Sequence, residues 1–211
     1  MTDPRGDAAT PEKPPRRDWR DVVADATDLA LVGFALVVGA LPVLTAGAAL
    51  AAASAAVHDR FTDGGWPAAR TTGRRYVRAL PAGVPVTLIA LAGALLLGAD
   101  LAALATGRVP GGPPALLVTA LVTAALVGYV GLVVVEVGRA GGRGWRVAAR
   151  SAARACVARP GGWAAASGIC GVAAVLTALV IPVALPILAG YTLAALHAVA
   201  RRRRAVAVEP S

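Results

Sequence analysis

The side chains that could do chemistry in this chain are few, and their positions restrict what that chemistry could be. Asp25 and Asp28 stand just ahead of the first apolar run, Asp100 lies late in the second, and Glu136 closes the third. A carboxylate or histidine at mid-membrane would point to proton or cation coupling, because a charge in hydrocarbon is costly and is kept for function. No acid, His or Lys sits at the middle of a run, which argues against an ion-coupled pump. Asp25 and Asp28 fit the first turn of a helix, where negative charge suits the dipole. Asp100 is within reach of Arg108, and Glu136 of Arg139, as interfacial pairs of a structural kind. His58 and His197 precede Arg60 and Arg201 at helix ends, where His satisfies free carbonyls. Cys156 lies in a basic segment and Cys170 in an apolar one, so they make no disulfide framework. Neither has a partner at metal-ligand spacing. The sequence holds no nucleophile–base spacing, phosphate-binding glycine loop or zinc motif. No catalytic, cofactor-binding or metal-ligating residue is assigned, and the chain is read as a non-enzyme that needs no cofactor.

The elements that carry these residues are set by the arginines. Twenty of the 21 Lys and Arg fall in four clusters, Arg5–Arg20, Arg60–Arg78, Arg139–Arg159 and Arg201–Arg204, with Arg108 alone outside them. The chain is 57% hydrophobic and 16% charged, against roughly 45–50% and 25% for a soluble domain. The surrounding solvent implied is a bilayer. The net charge of +9 raises nucleic-acid binding, but no groove-reading motif accompanies it, and that reading is set aside. The arginines are assigned instead to anionic lipid headgroups, where each is worth about 1 kcal/mol. Ala, Val and Leu make up the apolar mass, and small residues let helices approach closely in lipid. Gly128, Gly168 and Gly171 are assigned to such packing. Heavy Ala, Arg and Gly usage points to a GC-rich bacterium.

Four apolar stretches follow, near Leu29–Val57, Val84–Ala105, Ala115–Val137 and Trp163–Ala200. The middle two are single spans of about 20 residues. The outer two are longer and broken by Pro42 and by Pro182 with Pro186, so each is either one kinked helix or a hairpin. Hairpins throughout would put every cluster on one side and Arg108 on the other, in keeping with basic loops staying cytoplasmic. The expected fold is therefore all-α, a multi-pass transmembrane bundle of six helical segments in three hairpins with both termini cytosolic; four long kinked helices are the rival. Residues 1–22 are expected to be a disordered cytosolic tail without signal-peptide character, 23–204 the membrane domain, and 205–211 a flexible tail.

Two basic segments recur. Trp66 opens one with Arg70, Arg74, Arg75, Tyr76 and Arg78; Trp145 opens the other with Arg146, Arg150, Arg154 and Arg159. The spacing predicts basic amphipathic helices at the membrane surface, with Trp at headgroup depth; a solvated helical linker is the alternative. Each ends at a proline, Pro81 or Pro160, at one common offset, and Leu41-Pro42-Val43-Leu44 is echoed by Leu185-Pro186-Ile187-Leu188. These echoes fit an internal duplication, or the chance similarity of an Ala-rich chain. Repeats suggest the second functional reading, a small transporter or channel with a site at the Pro-broken helices, lined by Thr45, Thr177 and Thr192.

The segment Leu41-Pro42-Val43-Leu44-Thr45-Ala46-Gly47-Ala48-Ala49, followed by a small-residue helix and a basic loop with Trp66, resembles the YesL-like bacterial membrane proteins (domain of unknown function 624). The likeness is clearest over 25–80 and holds in outline to residue 200. It makes Pro42, Thr45 and Gly47 motif positions; the family's Phe-rich cytosolic helix is lacking, with Trp66 and Tyr76 in its place. The resemblance implies a multi-pass inner-membrane protein, an accessory or partner-binding component linked to carbohydrate uptake. Membrane transporter subunits would be its partners, its oligomeric state is left open, and no catalytic residue transfers.

Overall fold

A computed structural model describes residues 19–179 and 185–208. Pro182 lies outside the described residues, as do positions 1–18 and 209–211 of the expected tails. Strong helix formers such as Ala, Leu and Arg fill the chain, Gly or Pro stands at most of the seams, and the result is helical. In chain order the elements are α1 (Trp19–Ala40), a 3₁₀ turn (Val43–Thr45), α2 (Ala46–Asp63), α3 (Ala69–Ala105), α4 (Gly112–Arg139), α5 (Trp145–Ala158), α6 (Pro160–Leu179) and α7 (Leu185–Val208). No strand occurs among the described residues. Four helices are long and apolar enough to cross a membrane: Val22–Ala40 within α1, then α3, α4 and α6. The apolar part of α7, Leu185–Arg201, is shorter. The expected tails are trimmed at both ends. Helix α1 begins at Trp19 and α7 continues to Val208, because Arg and Ala favour helix and no Gly or Pro intervenes before Pro210.

The first long apolar stretch divides at Pro42. Its N–H is missing, and the carbonyls left at the end of α1 find other donors. The Thr45 hydroxyl lies 2.6 Å from the Gly39 carbonyl and 2.8 Å from that of Pro42. The Tyr76 hydroxyl also donates to Gly39 O, at 3.1 Å. Beyond this joint α2 is the central element. Ala48–Val57, apart from Leu50, are buried, and the helix packs against α1, α3, α4 and α7. A helix of alanines can be enclosed on all sides because its neighbours' backbones come close.

Those approaches are made through glycine and serine. A Cβ on Gly47 would lie 2.6 Å from the Gly83 carbonyl of α3, and Gly47 N–H donates to Thr87 Oγ1 at 2.8 Å. Ser54 Oγ donates to the Val134 carbonyl of α4 at 2.8 Å, and Gly138 leaves room for the Ser54 backbone. Gly33 of α1 and Gly190 of α7 meet backbone to backbone: a Cβ on either would fall about 2 Å from a carbonyl oxygen of the other helix. Gly128 accommodates Ser167 of α6, as expected. Gly168 and Gly171, by contrast, face open space, and so do Gly93 and Gly98 of α3.

Helix α3 departs from expectation. The basic segment does not end at Pro81 as a separate surface helix; it continues through Pro81 and Pro85 as one helix of 37 residues. Both prolines lie on the exposed face, one turn apart, while Gly83 and Thr87 on the other face are clamped against α2. Interior proline is tolerated in membrane helices when neighbours hold the backbone. At the matching point in the second half, Arg159 is extended (φ −144°, ψ 75°), and α5 ends before Pro160 opens α6. The core lies toward the arginine-bearing ends, around α2, the second half of α4, α5 and Leu193–Ala200 of α7. The other halves of α3 and α4 expose Leu88, Ile89, Leu95, Leu96, Leu117 and Leu121.

Candidate anion-binding site

Ends of five helices carry charged side chains into one region. Arg60, in the last turn of α2, pairs with Asp25 of α1. Asp25 thus neutralises an arginine across the helix pair; it lies beyond the first turn of α1, which begins at Trp19. Asp59 accepts from Arg75 of α3 at 2.6 Å. Arg139, at the end of α4, donates to Glu136 at 2.5 Å and to the Ala200 carbonyl of α7 at 3.3 Å. Arg201 of α7 donates to the Phe61 carbonyl at 2.8 Å and lies over the Phe61 ring. Gly64, left-handed at φ +74°, ends α2 and accepts from Arg60 at 2.7 Å through its carbonyl. The Glu136–Arg139 pair is the one foreseen. Asp100 and Arg108 make no ion pair among the described residues.

Between the start of α3 and the turn that follows α4 lies a cavity of about 440 Å³. It is lined by Arg70, Thr71, Arg74, Arg75 and Arg78 on one side and by Ala140, Gly141 and Arg143 on the other. Positions 70, 74 and 78 recur every four residues and so form one stripe of α3. The turn is tight because Gly141 and Gly142 take φ of +66° and +85°, which brings Arg143 back toward that stripe. Of the five guanidinium groups only Arg75 has a carboxylate partner among the described residues. The cavity can hold an anion; it presents no nucleophile or acid–base pair.

The second basic segment, α5, is amphipathic as expected. Trp145, Ala148, Ala152 and Cys156 are buried along one stripe, and Arg146, Arg150 and Arg154 are exposed on the other. The tryptophans point inward. Trp145 is buried and Trp66 half-buried against the core, each with its indole N–H enclosed and without an acceptor among the described residues. Arg70 and Arg74 line the cavity, while Arg150 and Arg154 lie outside it. His197 is fully enclosed, its Nδ1 bonded to the Leu193 carbonyl at 3.0 Å and its Nε2 without a partner among the described residues. Its ring lies 6.2 Å from that of His58 and stacks on Phe61. The structure thus brings the two histidines together, with no metal-holding group of three or more ligands among the described residues.

The threonines and prolines expected to mark a transport site are placed separately. The Thr177 and Thr192 hydroxyls bond the Ala173 and Leu188 carbonyls of their own helices, and Thr45 bonds the Pro42 joint. Pro186 lies in the first turn of α7, its carbonyl against Gly33. Sequence reasoning missed Arg143 as a partner of Arg70 and Arg74. The clue was the run Ala140-Gly141-Gly142-Arg143-Gly144, whose glycines permit a reversal. Comparison of the chain with protein-family models, with curated proteins and with solved structures finds no match to any of them.

Proposed function

We propose that this chain is a non-enzymatic, multi-pass inner-membrane protein that binds other membrane proteins, with six helices in three hairpins and both termini cytosolic. The observation that supports partner binding is the open glycine faces of two candidate spans. Gly93 and Gly98 on α3, and Gly168 and Gly171 on α6, have no heavy atom within 4 Å of where a Cβ would stand. In lipid, where helix association depends on close packing, such faces fit a neighbouring helix. The layout draws support from the ion pairs that join the charged ends of α1, α2 and α3 and from the arginine–carbonyl hydrogen bonds that tie in α4 and α7. Basic loops are retained in the cytoplasm, which orients that end. Helix α3, at 37 residues, is about 55 Å long. Hydrocarbon spans about 30 Å, so its arginine-bearing turns extend into the headgroup layer. By its resemblance to the YesL-like proteins, the partner class is a transporter subunit of carbohydrate uptake, and anionic headgroups surround the exposed arginines.

Affinity purification from a mild detergent tests this reading. Membrane-protein partners should co-purify with the native chain and be lost when Gly168 and Gly171 are both replaced by Leu. Recovery of this chain alone would remove the proposal's support.

A further inference from the structure

We propose that the arginine-lined cavity between α3 and the α4–α5 turn is a binding site for a polyanion carrying two or more phosphate groups. Charge is the first argument. Five guanidinium groups line the cavity, and Arg75 is paired with Asp59, which leaves the exposed Arg70, Arg74, Arg78 and Arg143 with no carboxylate within ion-pair distance among the described residues. An anion seated among them would lower their mutual repulsion. Size is the second. A cavity of about 440 Å³ falls in the range of small-ligand sites and exceeds what one phosphate group needs.

Chemistry selects phosphate. Guanidinium forks match phosphate oxygens two at a time, and the stripe Arg70, Arg74, Arg78 offers three forks at successive turns. Arg143 closes on them from the opposite wall, and the Thr71 hydroxyl adds a donor. The first turn of α3 contributes as well. The Thr71 and Thr72 amides are taken up by the Ala68 carbonyl, at 2.8 and 3.2 Å, so the contribution is the positive end of a 37-residue helix rather than free amide donors. The phosphates could be carried by a lipid headgroup or by a soluble ester. This assignment does not depend on which neighbour the glycine faces meet.

The test uses the full chain in neutral-lipid nanodiscs, with inorganic pyrophosphate as the probe and isothermal titration as the readout. Saturable binding to one site is expected, with a Kd of roughly 1 mM or tighter at physiological salt. R74Q combined with R143Q should weaken it at least tenfold. R150Q combined with R154Q, which changes the same charge on the exposed face of α5, should leave it within twofold. Helical circular dichroism and monodispersity confirm that the variants fold. Adding cardiolipin, which carries two phosphates, to the nanodiscs separates the sources: pyrophosphate binding weakened more than by phosphatidylglycerol at equal charge identifies a lipid headgroup, whereas equal binding in the two identifies a soluble ester. Absent saturation, or equal weakening by the α5 variant, overturns the proposal.

Discussion

Gly33 and Gly168 illustrate how differently two glycines in apolar helices can be used. A Cβ at Gly33 would sit 1.8 Å from the Pro186 carbonyl, so Gly33→Ala must push α1 from α7. Overpacking of this kind costs about 1–3 kcal/mol, and thermal unfolding in detergent should shift down accordingly. Gly168 meets nothing, and Gly168→Ala should be neutral or gain up to about 1 kcal/mol from helix propensity. An equal loss at both positions would show that the two environments are alike. The sequence did not distinguish them. In a helix that is apolar on every side there is no polar stripe to mark the outward face, and Gly128, Gly168 and Gly171 carry the same letter whether they meet Ser167 or open space. The threonines are ambiguous in the same way, since a hydroxyl that returns to its own helix and one that lines a cavity look identical in sequence.

Among the elements, α3 is where local rules and tertiary contacts conflict. Pro81 and Pro160 occupy corresponding places in the two basic segments, yet one lies inside a helix and the other opens one. Replacing both Pro81 and Pro85 with Ala restores two backbone donors in the interior of α3. Stability in detergent should rise, by on the order of 1–3 kcal/mol. Pro160→Ala, at a first helical position where proline is well suited, should change it by less than about 0.5 kcal/mol. The opposite ranking would mean that α3 is broken at Pro81 after all. Proline reports the cost of a helix, which is local and legible. The compensating contact of Gly83 and Thr87 with α2 is some 35–40 residues distant and is visible only once the chain is folded. The amphipathic stripe of α5 was legible for the opposite reason, because its arginines and its buried residues alternate within one helix.

For the whole molecule, the alternation of arginine and hydrocarbon was the legible feature, and it anticipated the all-α fold and the candidate spans. The inward placement of Trp66 and Trp145 and the meeting of Arg143 with the α3 stripe were not, since each depends on which helices become neighbours. The three-hairpin layout makes a prediction of its own. With Cys156 and Cys170 replaced by Ser, single cysteines at the exposed positions Thr62 and Arg146 should react with impermeant reagent only from the cytosol, and one at Pro110 only from outside. Labelling of Thr62 and Arg146 from opposite sides would overturn the layout.

A single unbroken rod, α3, bears guanidinium groups near one tip and bare glycines toward the other. No loop intervenes, so a tilt at one extremity passes to the other apart from what bending at Pro81 and Pro85 absorbs. A neighbour that leans on Gly98 would to that extent be felt at Arg74, and an anion gripping Arg74 would reset the angle at which Gly98 greets its neighbour. By linkage, whatever one occupant does to the affinity of the other is returned in equal measure.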